Sequence, residues 1–141
     1  MNELTPAEIQ NLRCIAGMMI PASSEFNVPG ADDAVIFADI TGTMGRDTPH
    51  VREALAALTG LADMELAKRE AAVMAFRERG GAAAATLSRV ILQCYYRDDR
   101  VVRSLGLEPR APFPKGHTLE QGDWSLLDPV RKRPKMWRDA G

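Results

Sequence analysis

Residues 82–95, Ala-Ala-Ala-Ala-Thr-Leu-Ser-Arg-Val-Ile-Leu-Gln-Cys-Tyr, decide the fold. Ala83, Leu87, Val90, Ile91, Cys94 and Tyr95 recur at the helical spacing that gathers side chains onto one face. The stripe is apolar enough that its helix belongs at the centre of a packed structure. Gly80-Gly81 stands just before it and supplies the left-handed backbone on which a preceding helix ends.

Working toward the N-terminus, three further helix starts are legible. Thr5-Pro6-Ala7-Glu8 combines a threonine cap, proline at the first helical position and a glutamate that reaches back to the cap. Ile9, Leu12, Ala16, Met19 and Ile20 then form a buried stripe, and Pro21 stops the helix. After the turn-rich run Pro21-Ala-Ser-Ser-Glu-Phe-Asn-Val-Pro-Gly30, a second helix is expected from Ala31 to Met44, with Ile36, Phe37, Ile40 and Met44 inward. Asp47-Thr48-Pro49 repeats the cap-then-proline signal, and Val51, Ala54, Leu55, Leu58 and Leu61 or Ala62 make a third stripe. A fourth helix, from about Met64 to Glu78, has a weaker stripe of Leu66, Ala67, Ala71, Met74 and Ala75.

Toward the C-terminus a short helix follows, capped by Asp98 or Asp99, with Val101, Val102 and Leu105 inward and Gly106 as its stop. Nothing alternates with the period of a strand. The expected fold is therefore all-α: a compact bundle of five to six helices over residues 1–106, followed by a long extended arm over 107–141. The arm carries five of the nine prolines and both tryptophans, together with Phe113, Leu126, Leu127 and Met136. So many apolar anchors in a proline-rich segment are expected to pack on the bundle or on a partner. Aromatic residues dominate interfaces, so Tyr96, Phe113, Trp124 and Trp137 are the candidate interface residues.

Catalytic and metal motifs are missing. With a formal charge of −1, the chain has no overall field that demands a polyanionic partner. Cys14 and Cys94 lie far apart, each inside an apolar helix, which suits core packing or a reducing compartment. The only histidines, His50 and His117, have no metal-ligand spacing, so no metal site is expected. Asp32-Asp33 and Asp98-Asp99 each stand at a helix start, where the macrodipole favours negative charge, and are read as caps rather than acid–base pairs. Tyr95-Tyr96 ends the central helix, one ring inward and the other at the surface. Arg131-Lys132-Arg133-Pro134-Lys135 would suit phosphate contacts, but Glu120, Asp123, Asp128 and Asp139 dilute its field, so no nucleic-acid partner is expected. No apolar run is long enough for a membrane span.

Taken together, several short motifs become more specific. Ile20-Pro21-Ala22 followed by Val28-Pro29-Gly30-Ala31 resembles the opening of the gluconate 2-dehydrogenase subunit 3 family. Tyr95-Tyr96-Arg97-Asp98-Asp99-Arg100-Val101 with Leu105-Gly106-Leu107, and then Pro112-Phe113-Pro114-Lys115-Gly116-His117, resemble later segments of the same family in the same order. Members are small accessory subunits of FAD-dependent dehydrogenases of the glucose-methanol-choline (GMC) class, acting on sugars, sugar acids or glycosides.

The resemblance implies a chain with no catalytic residues and no cofactor of its own, paired as a heterodimer with a large flavoprotein that holds FAD. It implies support of that partner's folding and stability, with a cytochrome c or other electron acceptor reached through the partner. Many relatives begin with a twin-arginine export signal, which is missing before the Thr5 cap, so the expected location is cytoplasmic, or periplasmic if a leader is removed or an exported partner carries the chain. A different class of answer is a free-standing helical ligand-binding protein or small enzyme with the arm as a lid.

Overall fold

A computed structural model describes residues 4–111, 113–116, 118–136 and 138. Among them seven α-helices occur in the order α1 Pro6–Met19, α2 Ala34–Thr43, α3 Thr48–Ala57, α4 Leu66–Arg79, α5 Ala82–Tyr95, α6 Asp99–Ser104 and α7 Asp128–Arg131, and no strand. The fold is all-α. Among the described residues no helix is long and apolar enough to cross a membrane. The chain divides into two units, Met1–Pro109 and Arg110–Gly141.

In the first unit α5 buries the stripe read from its sequence, Ala83, Leu87, Val90, Ile91, Cys94 and Tyr95, and packs mainly on α3 and α2. Those helices contribute Val51, Ala54 and Leu55, and Ile36, Phe37 and Ile40. Leu12, Ile36, Ile40, Leu55, Leu61 and Ile91 are wholly enclosed. Removing a side chain of that size from water is worth about 1.5–3 kcal/mol.

Helix α1 starts with a full capping box. Thr5 Oγ1 accepts from the Glu8 amide at 3.3 Å, and Glu8 Oε2 accepts from the Thr5 amide at 2.7 Å. Its buried face is rotated from the expected one: Asn11, Leu12, Ile15 and Ala16 are inside, whereas Ile9 and Met19 are partly exposed. Asn11 is tolerated there because its side-chain oxygen accepts from the Ala62 amide at 3.0 Å, joining α1 to the 3-10 turn Leu61–Asp63.

Helix α2 begins at Ala34 rather than Ala31. The Asp33 carboxylate accepts from the amides of Val35 and Ile36, and residues 31–33 form the turn that presents it. Asp47 does not cap α3 as its position implies. It closes a 3-10 turn, Gly45–Asp47, in helical geometry, and its carboxylate pairs instead with Arg89 of α5 at 2.8 Å.

Helix α4 departs most from its sequence pattern. The expected stripe is exposed, with Leu66 and Met74 among the most accessible large apolar side chains of the unit. Only Phe76 is fully buried, flanked by half-buried Arg69, Ala72 and Val73. The alanine-rich sequence offers two faces of similar polarity, and the choice falls to the bulkiest ring and to Arg69, whose guanidinium donates to the Leu61 and Ala62 carbonyls at 3.1 and 2.7 Å. Helix α4 ends at Gly80-Gly81, both with positive φ. In α6, Val101 is buried but Leu105 points out.

The second unit is not wholly extended. Asp123 accepts from the Ser125 amide and hydroxyl, starting a 3-10 turn, Trp124–Leu127, that runs into α7 with Pro129 in its first turn. Arg110 donates to the Ala111 and Gly116 carbonyls and holds the turn between them. Among the described residues of this unit, none is buried.

The orientation of α4 has a measurable consequence. Phe76→Ala is expected to lower unfolding stability by about 3 kcal/mol, while Met74→Ala stays within about 0.5 kcal/mol, as read from urea unfolding. The reverse order would place the other face inside.

Candidate functional site

The segments 20–33 and 95–104, far apart in sequence, meet at one end of the helical unit. The first begins where α1 stops: the Ile20 carbonyl accepts from the Ala31 amide at 2.9 Å, so the chain leaves and returns at one point. Inside that loop Ser23 and Val28 exchange both backbone hydrogen bonds at 3.0 Å. Phe26 sits in the resulting turn with its amide on Ser23 Oγ, and Asn27 takes φ of 51°, a left-handed setting that asparagine tolerates better than most residues.

Gly30 is required by space. A Cβ there would lie 2.9 Å from the Ala22 backbone nitrogen and 2.4 Å from an Asp32 carboxylate oxygen. Next along the chain, Asp33 caps α2.

The second segment closes onto the first. Tyr95 Oη donates to the Pro29 carbonyl at 3.2 Å. Arg100 forks between two carboxylates: it reaches Asp33 Oδ1 at 2.7 Å and Asp98 Oδ1 at 2.9 Å. Each of these carboxylates is also a helix cap, since Asp98 accepts from the Arg100 amide at the start of α6. Arg100 thereby ties the start of α2 to the start of α6. Hydrogen bonds from Arg100 hold both the Asp33 and Asp98 carboxyls below their ordinary range.

A parallel tie lies one turn away, where Arg97 grips both carboxylate oxygens of Asp39 and donates to Thr43 Oγ1 at 3.0 Å. Cys94 lies under it, 3.5 Å from the Thr43 hydroxyl, and burial pushes its thiol up. Enclosed at 3% exposure among the core side chains, Cys94 serves as packing.

Several side chains at this end remain facing water. A shallow groove runs between Phe26, Val28 and Pro29 on one side and Arg100, Arg103 and Ser104 on the other. Phe26 is 66% exposed and Tyr96 54%. Tyr96 stands at the C-terminus of α5 with its ring edge-to-face on Tyr95, centroids 5.3 Å apart, so its outward position is braced from beneath. Asp33, Tyr95, Asp98 and Arg100 are engaged within this end, and the rings of Phe26 and Tyr96 are displayed.

The other sequence candidates are dispersed. Phe113 and Trp124 are exposed on the second unit, and Trp137 and His117 lie outside the described residues. His50 Nδ1 is 3.4 Å from Glu53 on the same helix. Of the acidic pairs, Asp33 and Asp98 cap helices, whereas Asp99 meets Arg103 at 3.1 Å and Asp32 receives Arg13 on its backbone carbonyl. Among the described residues no cluster of three His, Cys, Asp or Glu side chains is placed to hold a metal.

Phe26 is not singled out by sequence reading, and Gly30 and Arg100 enter it only within the motifs that carry the family resemblance, without their structural roles. Phe26 carries a signal, being the one aromatic in a turn-forming run. No protein-family model, no curated protein and no solved structure matches the chain.

Because the Asp33 and Asp98 pKa values are lowered on folding, their contribution to stability is present above the ordinary aspartate value of 3.8 and is lost as pH falls through the lower folded values. Replacing Arg100 by Ala is expected to cost about 1 kcal/mol at neutral pH, with the gap from wild type closing once the pH drops below that range. Urea midpoints of the two proteins across an acid series measure it. Gly30→Ala forces backbone atoms apart and should cost about 1–3 kcal/mol by the same assay.

Proposed function

We propose that this chain is the non-catalytic small subunit of a heteromeric FAD-dependent dehydrogenase of the GMC class, acting on a sugar, sugar acid or glycoside, and that it supports the folding and stability of the flavoprotein subunit. The observation that carries this role is the union of residues 20–33 with residues 95–104. These segments hold most of the residues that resemble the gluconate 2-dehydrogenase subunit 3 family, and they are bound to each other by Tyr95 on Pro29 and by Arg100 on Asp33 and Asp98. A face braced by Tyr95, Asp33, Asp98 and Arg100, with Phe26 and Tyr96 displayed, suits recognition of a protein surface. Preorganisation of that kind lowers the ordering cost of association.

The second unit adds anchors. It carries Phe113, Leu119, Trp124, Leu126, Val130 and Met136 in exposed positions without a buried residue among those described. Apolar side chains of this size gain most when a partner removes them from water. FAD belongs to the flavoprotein in this scheme, and electrons leave through it to a cytochrome c or another acceptor.

Co-expression with a candidate GMC-class flavoprotein dehydrogenase from the same genome, followed by size-exclusion chromatography read at flavin wavelengths, tests the role. Co-elution with a flavin-loaded, dye-reducing protein that is insoluble or inactive alone is expected. Removal of residues 110–141 should abolish co-elution while the helical content of residues 1–109 is kept, and Phe26→Ala with Tyr96→Ala should weaken it at least about tenfold. A flavoprotein that is soluble, active and never retained would sink the proposal.

A further inference from the structure

Helix α4 turns a second, separate face to solvent. Leu66, Glu70, Met74 and Arg77 recur at helical spacing along it, with Leu66 63% and Met74 49% exposed. Beside Met74 opens a groove of about 480 Å³ between α1, α4 and α5, floored by Ile15, Met18, Leu58 and Leu87. Among the described residues, neither Glu70 nor Arg77 forms an ion pair, whereas Asp33, Asp39, Arg97 and Arg100 on the Tyr96 side of the unit are paired.

The order of these residues is self-complementary. Glu70 and Arg77 stand about 10 Å apart along the helix axis at 1.5 Å per residue, with Val73 and Met74 midway between them. We propose that α4 is the contact between two copies of this chain, packed antiparallel about a twofold axis that passes between Val73 and Met74. An isologous interface requires each residue to meet its complement. Here Glu70 meets Arg77 of the partner subunit, Arg77 meets Glu70 of the partner subunit, and the two Met74 side chains fill the grooves at the centre.

Leu66 then falls opposite Gly81 of the partner subunit, where nothing stands within 4 Å of the position a Cβ would take. Parallel pairing is disfavoured, since it sets Glu70 on Glu70 and Arg77 on Arg77. The flexible, polarizable methionine side chains at the centre adapt to an irregular groove more readily than branched residues do. This face shares no residue with the Phe26 and Tyr96 face, so a homodimer leaves the proposed flavoprotein contact open and is independent of it.

Sedimentation equilibrium of the full chain under reducing conditions, over a micromolar concentration series, tests the assignment. The wild type should follow a monomer–dimer equilibrium. Glu70→Arg and Arg77→Glu should each raise the dissociation constant at least about tenfold, because each sets like charges opposite one another twice, and the double reversal should restore it. Met74→Glu should abolish the dimer. All three substituted positions are exposed, so circular dichroism should show wild-type helix content in every variant. A wild type that stays monomeric throughout, a dimer indifferent to both single reversals, or a loss that the double reversal leaves unrepaired would each overturn the twofold α4 contact.

Discussion

Burial of the α5 stripe constrains the rest of the helical unit. Six side chains of that helix leave water, from Ala83 at one end to Tyr95 at the other, and the helices that cover them are short. Helices α2 and α3, ten residues each, both pack against α5. Their direction is then set by cross-links at the perimeter: Arg89 to Asp47, Arg97 to Asp39, Arg100 to Asp33, and Arg52 to Glu8 between α3 and α1. Partly exposed pairs of this kind are worth about 1 kcal/mol or less apiece. Their main consequence is geometric, since each fixes the register of one short helix against its neighbour.

Attachment is uneven around that core. Helix α4 is held by Phe76 and by the two hydrogen bonds of Arg69, and the rest of its apolar surface faces water or the groove beside it. The end of the unit where α1 gives way to α2 is the opposite case. Backbone exchange at Ser23 and Val28, the Tyr95 hydroxyl on Pro29 and the forked Arg100 leave little freedom there. One face is therefore rigid and displays aromatic rings, and the other is lightly held and displays methionine between an acid and a base.

Carboxylates in this molecule illustrate how a pattern that could serve catalysis serves architecture. Asp33 and Asp98 each accept backbone amides at a helix start and share one guanidinium, an arrangement that holds both ionised. Cys94, the buried thiol beside Arg97, is pushed the other way by burial.

Local rules determined much from sequence alone: the all-α class, the capping box at Thr5, the stop at Gly80-Gly81 and the complete inward stripe of α5 were legible because they depend on neighbours within one helical turn. That the pairs Asp32-Asp33 and Asp98-Asp99 stand at helix starts was legible for the same reason, though not that Asp33 and Asp98 are the members that cap. Tertiary structure decided what depends on distant chain. It chose which face of the alanine-rich α4 turns inward, through Phe76 and carbonyls contributed by residues 61 and 62. It diverted Asp47 from a cap to Arg89, turned Leu105 outward, buried Asn11 against the Ala62 amide, and joined residues 20–33 to residues 95–104. Helical periodicity records that a side chain shares a face with its neighbours, but which of two nearly equal faces leaves water is settled by partners that only the folded chain brings within reach.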